Sequence, residues 1–334
     1  MVKVFITVDT EVWPESPGWP HTPLAPDHDS SRELDLYFQG GHGPDARGLP
    51  YQLRVLAACG LKATYFVDPL FSYALGLEAL RGVTGMIAEG GQEIGLHLHP
   101  EWLTDPRCTG MPEFAGPLLH AYAPSAQQTL VRAGLQRLGE AGATRVVAFR
   151  AGSWGASRAT VAALAGSGIR FDSSLNARFG ASFPDLDGAV RRDLTQPFHM
   201  GDVWEFPVTN FVDRPPSGWR PLHVCATSLG EMRMVLEHAR DHGWYAVVFV
   251  LHSFEFVRVE SLAARRDVAP QRLLADRFER LCGYLAEHAG EYETCHFADV
   301  DESRIPETPP PPAPVSSHVR TAIRHLQQLA SRVY

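Results

Sequence analysis

Four short segments of this chain carry side chains that packing alone does not call for: Asp9-Thr10-Glu11, His97-Leu98-His99, Arg150 and His252-Ser253. In an extended strand side chains alternate between faces, so His97 and His99 share a face, and Asp9 and Glu11 share one for the same reason. Two neutral imidazoles and a carboxylate make three protein ligands for a catalytic divalent ion, with a coordination position left for water. Such an ion lowers the pKa of a water and polarises a carbonyl. A second carboxylate beside it can then serve as general base. Each signal is weak by itself. A lone H-x-H is more often structural than ligating, a D-x-E after a strand more often opens a loop, Arg150 alone reads as an ion-pair residue, and His252 alone reads as a core histidine. They gain weight together, because each falls at the end of a strand-like run.

The elements that must position them are short β-branched runs at residues 2–8, 63–67, 93–98, 146–150, 170–172, 203–206 and 246–251, with a last one at 293–297. Helical patterns at 51–58, 77–89, 126–141, 158–165, 228–242 and 269–287 alternate with them. Gly60, Gly90, Gly142, Gly168 and Gly243 follow those patterns, as helix-terminating glycines do. The alternation predicts an α/β fold of seven or eight mostly parallel strands, either closed into a barrel or left as an open sheet. In both arrangements functional groups gather at the carboxyl ends of the strands. Asp172, closing the run at 170–172, belongs with that set.

Of the 334 residues 45% are apolar, enough for a sizeable core, and the formal charge of −8 lacks the basic clustering a nucleic-acid binder needs. The five cysteines (Cys59, Cys108, Cys225, Cys282, Cys295) form no CxxC pair, which predicts reduced thiols rather than a disulfide framework or zinc knuckle. No export signal or membrane span is visible, so a cytoplasmic location is expected. Two segments stand outside the pattern. Residues 11–49 form a long insertion whose Trp13, Trp19, His21, His28, Tyr37, Phe38 and His42 are placed to cover a substrate or simply to pack. Residues 306–314 are a Pro-rich linker to an amphipathic helix at 315–334. Val319, Ile323, Leu326, Leu329 and Val333 share one face of that helix, and it is expected to dock on its own domain or on a second subunit.

Taken in order, Asp9-Thr10-Glu11, Gly95-Leu96-His97 through Trp102, Arg150-Ala151-Gly152-Ser153-Trp154, Asp172 and Leu251-His252-Ser253 resemble the motifs of the polysaccharide deacetylase (NodB homology, carbohydrate esterase family 4-like) superfamily. Leu61-Lys62-Ala63-Thr64-Tyr65-Phe66-Val67 is similar to that family's second strand, and the resemblance spans about residues 1–300. It implies a distorted (β/α) barrel for a catalytic domain at 1–305, followed by the C-terminal helical extension. It also implies one divalent metal ion (Zn²⁺ first; Co²⁺, Ni²⁺, Mn²⁺ or Fe²⁺ as alternatives) held by Glu11, His97 and His99. By the same resemblance Asp9 is the base, Arg150 holds that base, His252 is the acid, Asp172 supports the charges, and Trp154 and Leu251 line an acyl pocket. The family's first motif has adjacent aspartates, whereas Thr10 separates Asp9 from Glu11 here, so base and ligand roles can be exchanged. The family's second histidine position is Glu101 in this chain, which makes Glu101 the alternative to His99.

These departures resemble a divergent cytoplasmic branch. The expected activity is hydrolysis of an N-acyl group, first of all N-acetyl, from an amino sugar or a sugar-containing biosynthetic intermediate. Another amidohydrolase activity, such as a deformylase, and a catalytically silent binding module are the competing readings.

Overall fold

The computed structural model describes residues 1–188, 190, 194–213, 218–258, 269–306 and 312–333. The apolar run Val2–Thr10 forms strand β1 at the heart of the sheet. Its alternation sends Val4, Ile6 and Val8 into the layer beneath the helices, while Phe5 joins a separate aromatic cluster on the other face. Beside it run β2 (Ala63–Val67), β3 (Glu93–Leu98), β4 (Ala148–Ala151) and β5 (Phe171–Asp172). Further along the chain come β6 (Phe198–Met200), β7 (Val203–Glu205), the ribbon β8 (Asn210–Val212) and β9 (Trp219–Pro221), then β10 (Ala246–His252) and β11 (Tyr292–Thr294).

The nine-stranded sheet has the order β10-β1-β2-β3-β4-β5-β7-β6, and β11 pairs the first residues of β1 just below β2. Its pairings are parallel except β6 with β7. Crossovers come from the helices Leu49–Cys59, Leu77–Glu89, Pro124–Glu140 and Arg158–Ala165, with Leu229–Asp241 and Arg272–Glu287 later in the chain. Irregular backbone spans the gap between β7 and β10. Thr209 N–H donates to Val248 O (3.3 Å), Val248 N–H to Thr209 Oγ1 (2.9 Å), and Val250 N–H to Leu222 O (3.0 Å). The sheet therefore curls into a distorted (β/α) barrel whose last seam is stitched by single hydrogen bonds in place of a ladder.

Phe5, Phe66, Phe171, Phe206 and Phe297 fill the barrel interior below the strand ends, with Phe5 stacked on Phe297 at 4.7 Å between centroids. One strand position there must be bare. A Cβ on Gly95 would lie 2.5 Å from the Phe66 ring, so glycine is what lets β3 pass the aromatic plug.

The insertion at 11–49 is packed. Val12, Leu24, Leu36, Tyr37 and Phe38 join the main core, and Trp13, Trp19 and Trp102 follow one another at 5.3 Å intervals. At the other end of the chain, residues 307–311 of the expected linker lie outside the described residues. The helix His318–Val333 docks on its own domain through its polar face. Arg324 is fully buried, with Nη2 donating to Asp213 (2.7 Å) and Nε to Glu231 (3.1 Å), and Thr321 Oγ1 donates to Asp213 (3.0 Å). Val319, Ile323, Leu326 and Leu329 face solvent. A buried guanidinium flanked by two carboxylates holds this helix, so the apolar stripe is on the side opposite to the one a hydrophobic-docking argument selects. Among the described residues no helix is long and apolar enough to cross a membrane.

Candidate active site and metal centre

Register brings the candidate residues together before any side chain is considered. Asp9 pairs with His252 across β1 and β10, and His97 pairs with Arg150 across β3 and β4. All lie at the carboxyl ends of parallel strands, facing the barrel axis above the aromatic plug.

Arg150 is fully buried and organises this level. Nη1 donates to Asp9 Oδ1 at 2.7 Å, Nε to Ser173 O at 2.9 Å and Nη2 to Ser173 Oγ at 3.0 Å, while the guanidinium sits 4.5 Å above the Phe66 ring centroid. A charge in this position is tolerable only because it is paired and hydrogen-bonded.

Glu11, His97 and His99 form a compact donor set, with Glu11 Oε2 lying 3.3 Å from His97 Nε2 and 2.6 Å from His99 Nε2. The outer ring nitrogens are engaged elsewhere: His97 Nδ1 donates to Arg150 O (2.8 Å) and His99 Nδ1 faces Glu101 Oε2 (3.3 Å). Both Nε2 atoms are thereby turned towards the carboxylate, an arrangement that needs a cation between the groups, either a proton or a metal ion. The N,N,O set suits Zn²⁺ and its neighbours, and a carboxylate behind a ligating histidine is the usual way such a ring is oriented. Burial opposes the charge on Glu11, but His99, His97 and His252 together hold its pKa well below the usual carboxylate range. Burial likewise opposes the His99 cation, and Glu11 and Glu101 override it to raise the imidazole pKa. Glu101 thus stands behind His99 rather than facing Glu11. The ring of His99 also needs Gly152, since a Cβ there would lie 2.8 Å from it and 2.5 Å from Leu98 O.

On the other side, His252 Nδ1 bonds Glu255 Oε1 (2.7 Å) and Nε2 points towards Glu11 (3.9 Å). Burial disfavours the imidazolium, yet the hydrogen bond and charge of Glu255, with Glu11 and Asp9 behind it, push His252 up to about 9. The same Glu255 oxygen contacts His223 Nε2.

Two expected site residues lie elsewhere. Asp172 is buried beside Glu205, its register partner on β7, and accepts from Ser174 Oγ. Strand alternation turns Asp172 away from the axis, so it meets Arg150 through charge alone, while Ser173 supplies the hydrogen-bond acceptors. Leu251 likewise faces outward into the main core, and Val250 and His252 line the cavity in its place. Trp154 does line it.

Several contributors were missed in sequence. Asp68, next after β2, is fully buried with Oδ2 unpartnered. Burial pushes its carboxyl up to about 7 against the pull of His99 and His97. Asn176 is fully buried, lines the cavity and has an unpartnered Nδ2. A strand-ending Asp before Pro69 was a visible signal for the first, whereas Asn176, Ser173 and His223 sit in irregular segments that carry none.

The cavity over these groups has a volume of about 390 Å³ and is lined by Asp9, Glu11, His97, His99, Asn176 and His252 below an aromatic wall of Trp13, Trp154 and Phe179. That size accommodates a small molecule or one end of a larger one. Ser153 (φ 51°) and Trp154 (φ 61°) both occupy the left-handed region, which costs non-glycine residues on the order of 1–3 kcal/mol each. This backbone turns Trp154 over the cavity, where its ring lies nearly parallel to Phe179 at 6.1 Å.

No protein-family model and no curated protein matches the chain. Solved structures similar to it include a protein from Mycobacterium smegmatis assigned as a polysaccharide deacetylase, with 19% identity and a TM-score of 0.49, covering 90% of this chain and 94% of that one. A family 4 carbohydrate esterase from Streptomyces lividans, solved with acetate, is similar at 12% identity and a TM-score of 0.40, covering 94% and 98%. The wild-type family 4 pseudoenzyme from Bacillus anthracis is similar at 10% identity and a TM-score of 0.38, covering 88% and 69%.

Proposed function

We propose that this chain is a metal-dependent amidohydrolase that removes an N-acyl group, in the first place N-acetyl, from an amino sugar or a sugar-containing small molecule. The observation that carries the reading is the convergence of His97 Nε2, His99 Nε2 and Glu11 Oε2 on one point, with Asp9 and His252 flanking it in the same cavity. The sequence motifs support it independently.

In this reading Glu11, His97 and His99 hold one divalent ion, with Zn²⁺ favoured by the donor set. When bound, the ion polarises the acyl carbonyl and acidifies a water. Asp9, held in place by Arg150, accepts the proton of the attacking water. His252, kept protonated by Glu255, delivers a proton to the departing amine nitrogen. The two groups are held by different neighbours: a guanidinium positions Asp9, and a carboxylate beside His252 favours its imidazolium. Asn176 Nδ2 donates to the acyl oxygen or to a sugar hydroxyl, and the Trp13–Trp154–Phe179 wall stacks on the ring and excludes water.

Purified protein loaded with Zn²⁺ or Co²⁺ is to be assayed against N-acetylated sugars, nucleotide sugars and formamides for released acid. Acetate from an amino sugar is the expected result. Formate alone would move the assignment to a deformylase, and no acid from any of them would favour the binding-module reading. Metal titration should show a first, tightest equivalent per chain that is lost in His97→Ala. Full occupancy after replacing both His97 and His99 would overturn the ligand set.

A further inference from the structure

A second constellation of metal-binding groups starts at the cavity wall with His223 and runs through Cys225 to Glu255, the carboxylate that also holds His252. His223 and Cys225 stand two residues apart on a tight turn, and Glu255 follows the end of β10. A His223 ring nitrogen, Cys225 Sγ and a Glu255 carboxylate oxygen all lie within 4.8 Å of one another.

The surrounding structure fixes this geometry. Val224 N–H donates to Val250 O (3.0 Å), and both Ala226 and Thr227 N–H donate to His223 O (2.9 and 3.0 Å), folding Cys225 back towards the strand. Arg277, itself buried, caps the turn by donating to Val224 O (2.9 Å) and Cys225 O (3.1 Å).

An ion-pair role for Glu255 accounts for one of its oxygens and leaves the rest of the arrangement unexplained. Oε1 serves both His252 and His223, whereas the buried Oε2 has no nitrogen or hydroxyl donor and the carboxylate meets only the Cys225 thiol besides, the whole side chain being 7% exposed. A buried carboxylate oxygen so poorly served costs free energy unless something fills its place. A histidine held between carboxylate and solvent would also work without a thiol beside it.

We infer that His223, Cys225 and Glu255 form a second divalent-cation site, selective for a thiophilic ion such as Zn²⁺ or Co²⁺, set beside the hydrolytic centre. One imidazole, one thiolate and one carboxylate form a three-ligand set for a tetrahedral ion, with the fourth position left for water. In the absence of a cation, burial and the neighbouring Glu255 charge hold the Cys225 thiol well above its usual pKa. The ion therefore binds by displacing that proton, and its affinity rises with pH. The site also has a consequence for turnover: a cation on Glu255 competes for the carboxylate oxygen that holds His252 Nδ1 at 2.7 Å, so filling the second site releases His252 from its place beside the hydrolytic centre and inhibits hydrolysis.

Cobalt distinguishes the two sites, because only the second offers sulfur. Titration of metal-free, reduced protein with Co²⁺ should develop a near-ultraviolet thiolate-to-cobalt charge-transfer band as a second equivalent binds. Cys225→Ser and His223→Gln should each abolish the band and the inhibition by excess metal, with circular dichroism confirming that both variants fold. His97→Ala should keep the band although it loses the first equivalent. Absence of a charge-transfer band at any stoichiometry, or a band that survives in Cys225→Ser, would overturn the site. Neither outcome depends on whether any amide is hydrolysed, so the hydrolase reading stands or falls separately.

Discussion

The protein buries two pairs of acids at the ends of its strands, and they are handled in opposite ways. Asp9 and Glu11 point into the barrel mouth, where Arg150, His97, His99 and His252 surround them with positive charge or donors. Asp172 and Glu205 point to the outer face, at paired positions on β5 and β7, where Ser174 Oγ and the Leu175 amide are their hydrogen-bond donors. Burial pushes the Asp172 carboxyl up to about 6, and burial together with the Asp172 charge raises Glu205 well above the ordinary range. The outer pair therefore keeps a proton, whereas Glu11 of the inner pair is held ionised by the imidazoles around it. Burial of acids alone marks neither as a site. The difference is convergence on a cavity with cations in place, and that is what the variants below are designed to break.

The largest effect is expected from Asp9→Asn, which keeps the shape and the bond from Arg150 but removes the base. Turnover should fall about 10²–10⁴-fold while the first metal equivalent stays bound. Loss of metal in Asp9→Asn would exchange the roles of Asp9 and Glu11. Next comes Arg150→Met, which leaves Asp9 buried without its partner and should destabilise the fold by roughly 3–5 kcal/mol in denaturant unfolding. A loss below ~1 kcal/mol would mean that Asp9 is solvated from the cavity and that Arg150 is dispensable to the fold.

The inner pair was legible in sequence, whereas Asp172 was grouped with it and its partner Glu205 was not singled out at all. Strand ends are visible as apolar runs, so the levels of Asp9, His97, Arg150 and His252 could be placed, and period-two alternation correctly put His97 with His99 on one face. The strands 63–67 and 93–98 match the structure residue for residue. Alternation also turns Asp172 and Leu251 away from the axis, but their phase relative to the barrel is set by the neighbouring strand's register, which a single sequence does not display. The short strands β6, β8 and β9 were invisible because Phe198–Met200, Asn210–Val212 and Trp219–Pro221 each mix apolar with polar or proline residues and form no β-branched run. The C-terminal helix was read by its apolar stripe, whereas its docking rests on Arg324, Asp213 and Glu231, a long-range buried ion network without local pattern.

A smaller effect separates ligands from the groups that orient them within the inner set. Glu101 faces His99 Nδ1 and not the centre of the donor set, so Glu101→Ala should weaken metal affinity by about 10–100-fold without abolishing binding. Competition with a chromophoric chelator would measure it. A loss as complete as that of His97→Ala would make Glu101 the ligand and His99 the spectator.

The smallest effect belongs to the outer pair. Glutamine at position 205 imitates the protonated acid: its carbonyl can accept from the Leu175 amide and its NH₂ can donate to Asp172. Glu205→Gln should therefore leave turnover unchanged and stability at neutral pH equal or slightly higher. The pH dependence is the sharper readout. A carboxyl whose folded pKa exceeds its unfolded value binds more protons in the native state, so its stabilisation is full below the unfolded value near 4 and is lost as pH rises through the folded value. In the wild-type protein the pair should erode stability between about pH 4 and 6 and further above it, as Asp172 and then Glu205 are forced to ionise. Glu205→Gln removes the upper part of that slope, so urea unfolding midpoints of variant and wild type should converge at low pH and separate, in favour of the variant, as pH rises. Midpoints that separate in the opposite direction would show that Glu205 is held ionised like Glu11, and the contrast between the two acid pairs would collapse.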